Sequence, residues 1–158
     1  MQSKFSQVWQ RLIVFLYRLT PLFISKWIVY LLKPKYVIAV VALVANDAGR
    51  LLVLHHTYGK NHRWRFPGGI KERHEHPFET AERELIEEAN MVVKAKQLIG
   101  VAKSYATYDI AVYCELVETL PFKANAEVDD LQWILPDESE IKLPSEQMEI
   151  WKAYKEMN

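Results

Sequence analysis

A single cysteine, Cys114, among 158 residues leaves no partner for an internal disulfide. It sits in an apolar run, where a thiol behaves as a small buried hydrophobe rather than a nucleophile. No repeat and no low-complexity tract is present. Acid is missing from the first 46 residues, which carry Lys4, Arg11, Arg18, Lys26, Lys33 and Lys35 before the first carboxylate, Asp47. Charge balances over the whole chain, so the remainder is net acidic. No long basic stretch within residues 36–158 argues for nucleic acid. With half its residues hydrophobic, the chain has the composition of a globular domain with a sizeable core.

Residues 8–32 are the unusual part. Val8, Trp9, Leu12, Ile13, Leu16, Leu19 and Phe23 recur at helical spacing. Thr20-Pro21 reads as an N-cap and first helical position, restarting an apolar helix that runs to Leu32 and stops at Lys33-Pro34. Leu12 to Leu32 is long enough to cross a bilayer. Arg18 and Lys26 would each cost on the order of a few kcal/mol near mid-membrane, and Pro21 lies between them. The uninterrupted apolar run Leu12–Tyr17 is short for a signal-peptide core, and no small-residue cleavage site follows. The segment 1–34 is therefore expected to be an interfacial or partner-packing helical hairpin. An anionic membrane surface or a second copy of the chain would be its partner.

From Lys35 the texture changes to that of an α/β domain over residues 35–158. Tyr36–Val44 is a β-branched run without a helical face, hence a buried strand. Asn46-Asp47-Ala48-Gly49 is turn chemistry, after which Leu51–Leu54 is expected to pair back as a hairpin. A polar loop over His55–Arg63 leads to a short strand at Trp64–Phe66 and a turn at Pro67-Gly68-Gly69. Pro77 suits the first turn of a helix, with Glu79 near its N-terminus. Strands follow at about Val92–Ala102, Tyr108–Leu116 and Leu131–Leu135. A last helix starts near Pro144 and turns Ile150, Trp151 and Tyr154 inward.

The chain is organised around Gly69 to Met91, a glycine turn followed by a helix that gathers acid on one face. At 100° per residue, Glu84, Glu87 and Glu88 fall within about a third of the helical circumference. Phe78, Ala81, Leu85 and Ala89 form an apolar stripe on a different face. Clustered carboxylates repel one another and give a helix no stability. Hard divalent cations answer that charge density, and Mg²⁺ typically takes a few carboxylates together with waters and substrate phosphates. Arg83, four residues before Glu87, is placed to hold that carboxylate.

Gly69, Glu75, Arg83, Glu84, Leu85, Glu87, Glu88 and Met91 stand at the spacing G-x5-E-x7-R-E-U-x-E-E-x-G-U, with Asn90 in place of the second glycine. This resembles the Nudix box, in which U is an aliphatic residue. The resemblance implies an α/β/α sandwich with a mixed sheet. It also implies a Mg²⁺-dependent hydrolase, with Mn²⁺ as a substitute ion, that cleaves a nucleoside diphosphate linked to another group. Glu84, Glu87 and Glu88 match the family's metal-binding glutamates. The Gly68–Gly69 turn matches the place where backbone faces the metal. Glu75 either orients a metal-bound water or braces the loop, and its position favours bracing. His74 stands where many members have glycine, and histidine tolerates a left-handed backbone there. Asn90 suits the left-handed end of a helix.

In several Nudix enzymes a further glutamate from a later loop joins the site. Glu127, in Glu127-Val-Asp-Asp-Leu-Gln-Trp133, is the candidate, with Asp130 behind it and Glu84 as the rival base. All five histidines fall between His55 and His76. Adjacent His55 and His56 would point to opposite faces of a strand and no cysteine is near, which speaks against a closed zinc site. Tyr58, His62 and Trp64 are candidate substrate contacts. Every box glutamate is retained, which favours catalysis over a regulatory nucleotide-binding role. Nucleoside triphosphates, nucleotide sugars, CDP-alcohols, dinucleotide polyphosphates and capped RNA ends all remain as substrates. A cytoplasmic enzyme is expected, at the inner face of a membrane if the first segment binds lipid.

Overall fold

An apolar run with no polar face needs cover on both sides, and β1 (Val37–Val44) has it from Val40 onward, while Val37 and Ile38 are exposed. In this computed structural model, which describes residues 9–11, 13–15, 18, 20–59, 63–104 and 107–157, β1 lies inside a mixed four-stranded sheet of order β4-β1-β6-β5. It runs parallel to β6 (Thr107–Thr119) and antiparallel to β4 (Gly68–Ile70). β5 (Met91–Lys103) closes one edge, antiparallel to β6. A second, antiparallel sheet sets β2 (Leu51–His56) between β3 (Trp64–Arg65) and β7 (Val128–Ile134).

Two cores flank these strands. Val40, Ala42 and Val44 join Leu52 and Leu54 in packing against Ala81, Leu85 and Ala89 of α2 (Pro77–Ala89). Val41 and Leu43 join Leu51 and Val53 in packing against Ile150 and Trp151 of α3 (Ser145–Met157). Neighbouring residues of β1 and β2 thus serve opposite cores, which is why neither strand alternates polar with apolar. The α2 stripe is buried as expected, with Phe78 half-buried at its start. In α3, Ile150 and Trp151 are buried and Tyr154 is half-buried against them.

The expected hairpin of β1 and β2 does not form. The turn brings Ala45 and Leu51 together in an isolated bridge, and the strands then part into different sheets. Each strand has two apolar faces to bury, so each takes the centre of its own sheet. His55 and His56 belong to β2 rather than to a loop, and β7 begins earlier than expected, at Val128. The segment after Pro67 is likewise strand, with Val40 opposite Gly69.

The chain divides into two compact units, residues 1–35 and 36–158. In the first, α1 (Leu22–Leu32) is capped by Pro21 itself, one residue later than expected. The Pro21 carbonyl accepts from the amides of Ile24 and Ser25, and Lys33, in extended backbone, ends the helix. Leu22, Phe23, Trp27, Leu31 and Leu32 are exposed, and Lys35 Nζ lies 4.4 Å from the centre of the Tyr30 ring. Among the described residues no helix is long and apolar enough to cross a membrane. Val8, Leu12, Leu16 and Leu19 of the expected first helical stripe lie outside the described residues.

Candidate active site

The acidic helix is fixed at both ends by local chemistry. His76 is its cap: Nδ1 accepts from the Phe78 amide at 3.3 Å, and the His76 amide donates to Glu79 at 2.7 Å. Pro77 takes the first helical position, where its missing N–H costs nothing. Asn90 ends the helix in the left-handed region (φ 54°, ψ 41°), with its amide on the Ile86 carbonyl and its side-chain nitrogen on the Pro121 carbonyl. Asparagine therefore does there what glycine would do. His74 is different from expectation. Asn90 is the one non-glycine residue with positive φ among the described residues, so the turn at His74 needs no left-handed backbone.

The box residues face the start of β4, where two glycines leave the backbone bare. Gly68 has φ +147°, and a Cβ there would lie 2.0 Å from the Val40 carbonyl oxygen. A Cβ on Gly69 would lie 2.3 Å from Glu84 Oε1. Glycine at 68 lets β4 lie against the backbone of β1, and glycine at 69 lets Glu84 approach the strand. The Gly68 amide donates to Glu88 Oε2 at 2.9 Å. Glu88 is otherwise buried, and burial pushes its carboxyl up to about 8, aided by the charges of Glu84, Glu127 and Glu87. Burial also raises Glu84, against the opposing pull of Arg83.

Arg83 gathers the remaining acids. It donates through Nε to Glu75 at 2.7 Å, and its Nη1 lies 2.9 Å from Glu84 and 3.0 Å from Glu87. Glu75 also accepts from Thr80 Oγ1 at 2.8 Å. Its bonds to Arg83 and Thr80 hold the Glu75 carboxyl down at about 2. Glu75 is thus occupied by Arg83 and Thr80, while Glu87 remains exposed.

Among the described residues no three His, Cys, Asp or Glu groups converge into a ready-made ion site, because Glu84 and Glu87 turn to Arg83 and Glu88 turns to Gly68. The donor set nonetheless fits a hard divalent ion. It is all oxygen, it stands beside backbone stripped of side chains, and Mg²⁺ needs only one or two carboxylates directly.

Glu127 stands in the loop before β7 and is tied down through its backbone. Its carbonyl accepts from the Thr57 amide at 2.9 Å, and its amide donates to Asn125 Oδ1 at 2.8 Å. The carboxylate is exposed, and its charge helps to raise both Glu88 and Tyr58. The same loop reaches the end of the acidic helix through Asn125, which donates to the Glu87 carbonyl at 3.4 Å. Asp130 accepts from the amide of Leu131. Asp129 pairs with His55 Nδ1 at 2.5 Å.

Tyr58 is largely exposed, and burial of part of its ring raises its phenol. Trp64 is half-buried with its ring 5.0 Å from that of His55, while His62 lies outside the described residues. Cys114 is buried and its thiol is pushed up to about 12, the behaviour of an inert core residue.

Sequence reasoning overlooked Asn125. It accepts from the amides of Glu127 and Val128 and donates to the Glu87 carbonyl at 3.4 Å, joining the Glu127 loop to the end of α2. An asparagine two residues before a candidate base is a recognisable turn signal. Thr80 and His56 were also missed. Nothing in the sequence marks a threonine as the brace of Glu75, or His56 as a buried ring.

The NUDIX domain family model matches residues 35–157. Among solved structures, the chain is similar to a MutT protein from Methanosarcina mazei Go1, at 22% identity and TM-score 0.65, covering 80% of this chain and 98% of that one. It is similar to an ADP-ribose pyrophosphatase from Streptococcus suis 89-1591, at 17% identity and TM-score 0.63, covering 78% and 93%. A UDP-X diphosphatase matches at 23% identity and TM-score 0.63, covering 100% of this chain and 86% of that one. At these identities the likeness establishes a shared fold. No curated protein shows significant similarity to the sequence.

Proposed function

The chain belongs to the Nudix family, and from that premise we propose that it is a Mg²⁺-dependent pyrophosphohydrolase. Its substrate is a nucleoside diphosphate joined to another group. The observation that carries this reading is the meeting of Glu84 and Glu88 with the side-chain-free Gly68–Gly69 segment of β4, with Glu87 joined to Glu84 through Arg83. Two of the similar folds, a pyrophosphatase and a diphosphatase, are named for cleavage of the same linkage.

Glu84, Glu87 and Glu88 would hold the ion, which when bound neutralises phosphate charge and polarises a phosphoryl oxygen. Mn²⁺ would serve in its place. Glu127 has its backbone fixed and its carboxylate exposed beside the acidic cluster, so it is the better placed general base. It accepts a proton from water as the new P–O bond forms. The bridging P–O bond breaks, and its electrons leave with the departing phosphate. Glu84 is less suited to that role because Arg83 engages it at 2.9 Å. Arg83, anchored on Glu75, orients Glu87. Tyr58 lines the cavity that borders Gly68 and Gly69, whereas Trp64 packs against the core.

Residues 1–34 we read as an interfacial segment that holds the enzyme at an anionic surface, placing it at the cytoplasmic face of a membrane. Assembly through a second copy is the rival, and it would bring two acid-free, basic segments together.

A panel of nucleotide sugars, CDP-alcohols, nucleoside triphosphates, dinucleotide polyphosphates and capped RNA, each assayed with Mg²⁺ and with chelator, tests the reading. Chelator-sensitive release of a nucleoside monophosphate or of pyrophosphate from at least one class is expected. Binding without turnover across the panel would instead support a regulatory nucleotide-binding domain.

A further inference from the structure

A cavity of about 340 Å³ opens on the other side of the Gly68–Gly69 turn, walled by Val40, Phe66 and Ile70 and by polar groups from β2, β6 and α3. Its polar groups are unusual for their burial. Asp109 is 9% exposed and accepts from the Thr107 side chain, one bond on a carboxylate with room for several. His56 is 4% exposed, and its Nδ1 has no hydrogen-bond partner among the described residues. A buried polar atom without a partner is rare in folded proteins, and a ligand is one way to supply it. Glu146 reaches the same space, and its charge acts on Asp109. Gln147, also on the wall, is held through Oε1, which accepts from the Phe66 amide at 2.8 Å.

We propose that this cavity receives the base of the nucleotide, that His56 contributes a contact to any base, and that Asp109 selects a base carrying an exocyclic amine over uracil or thymine. The proposal rests on the pyrophosphohydrolase reading for the position of the diphosphate. Three features lead to it. The cavity shares Gly68 and Gly69 with the acidic helix, so a ligand in it is within reach of the linkage to be cut. Asp109 and Glu146 together disfavour a phosphate, even with Arg65 on the wall to offset part of their charge. The uncharged end of the substrate therefore turns inward. Carboxylates accept hydrogen bonds, so they suit the amine of adenine, guanine or cytosine. The corresponding edge of uracil offers a carbonyl, which would leave the carboxylate unpaired and facing another acceptor.

Titration calorimetry of the full chain with AMP, GMP, CMP and UMP in the presence of chelator separates this proposal from the hydrolase reading. At least one amine-bearing monophosphate should bind about ten-fold or more tightly than UMP, the discrimination expected of a good base-edge contact. Asp109→Asn, which offers a donor in place of an acceptor, should erase that preference. His56→Phe should weaken all four ligands. Circular dichroism checks that the variants fold. Equal binding of the four, preferential binding of UMP, no binding of any, or a preference that survives in folded Asp109→Asn would overturn the proposal. A base preference in a chain that hydrolyses nothing would leave the cavity assignment standing and remove the hydrolase reading. Turnover without base preference would do the reverse.

Discussion

Glu75 and Glu127 are both carboxylates beside one helix, yet their surroundings give them opposite uses. Glu75 is held at about 2 by Arg83 and Thr80, so it stays ionised and serves to fix the guanidinium. Its folded value lies below the ordinary 4.5, so its contribution to stability is present in full above about 4.5. That contribution is lost as pH falls toward 2. Urea unfolding over a pH series should show Glu75→Gln less stable than wild type at pH 6, with the gap closing in acid; a gap independent of pH would contradict this account. Glu127 has no comparable anchor on its carboxylate. Glu127→Gln should lower kcat by roughly 10²-fold or more, the scale of general base catalysis, and leave KM nearly unchanged. An unchanged kcat would pass the role to Glu84.

At the scale of elements, the end of α2 is decided by one left-handed residue. Asn90→Ala should destabilise the chain by about 1–2 kcal/mol, since alanine meets the full penalty of that backbone. Asn90→Gly should keep most of the stability. Equal losses, measured by thermal unfolding, would mean that the bond from the Asn90 side chain to Pro121 matters more than the backbone. This helix was legible in the sequence from Pro77 to Asn90, because Pro77, the apolar stripe and Asn90 act locally, but the cap at His76 was not read there. The partition of β1 and β2 into separate sheets was not. A turn at Asn46–Gly49 reports that the chain reverses, but which strands then pair is set by the two cores that the alternate residues of each strand fill. The box glutamates could be read from spacing, whereas Asn125 and His56 take their places from contacts made across the fold.

At the scale of the whole molecule, the second unit completes both cores from its own residues, between Val40 and Tyr154. Deleting residues 1–34 should therefore leave turnover intact while abolishing flotation of the protein with anionic vesicles. That flotation should weaken in high salt, since each Lys or Arg near the surface contributes about 1 kcal/mol through screened attraction. A change from dimer to monomer on deletion, without flotation of the intact chain, would favour assembly instead. Retention after a carbonate wash would show that the segment spans the bilayer.

The central claim concerns the acidic helix, and Glu87 is the residue on which to test it. Its carboxylate is exposed and, among the described residues, bonded only to Arg83, so Glu87→Gln should fold as wild type does. The amide cannot supply the charge a divalent ion requires. On the best substrate of the panel, kcat with saturating Mg²⁺ should fall to the level of wild type in chelator. A folded Glu87→Gln variant that retained near wild-type, Mg²⁺-dependent kcat would contradict the account.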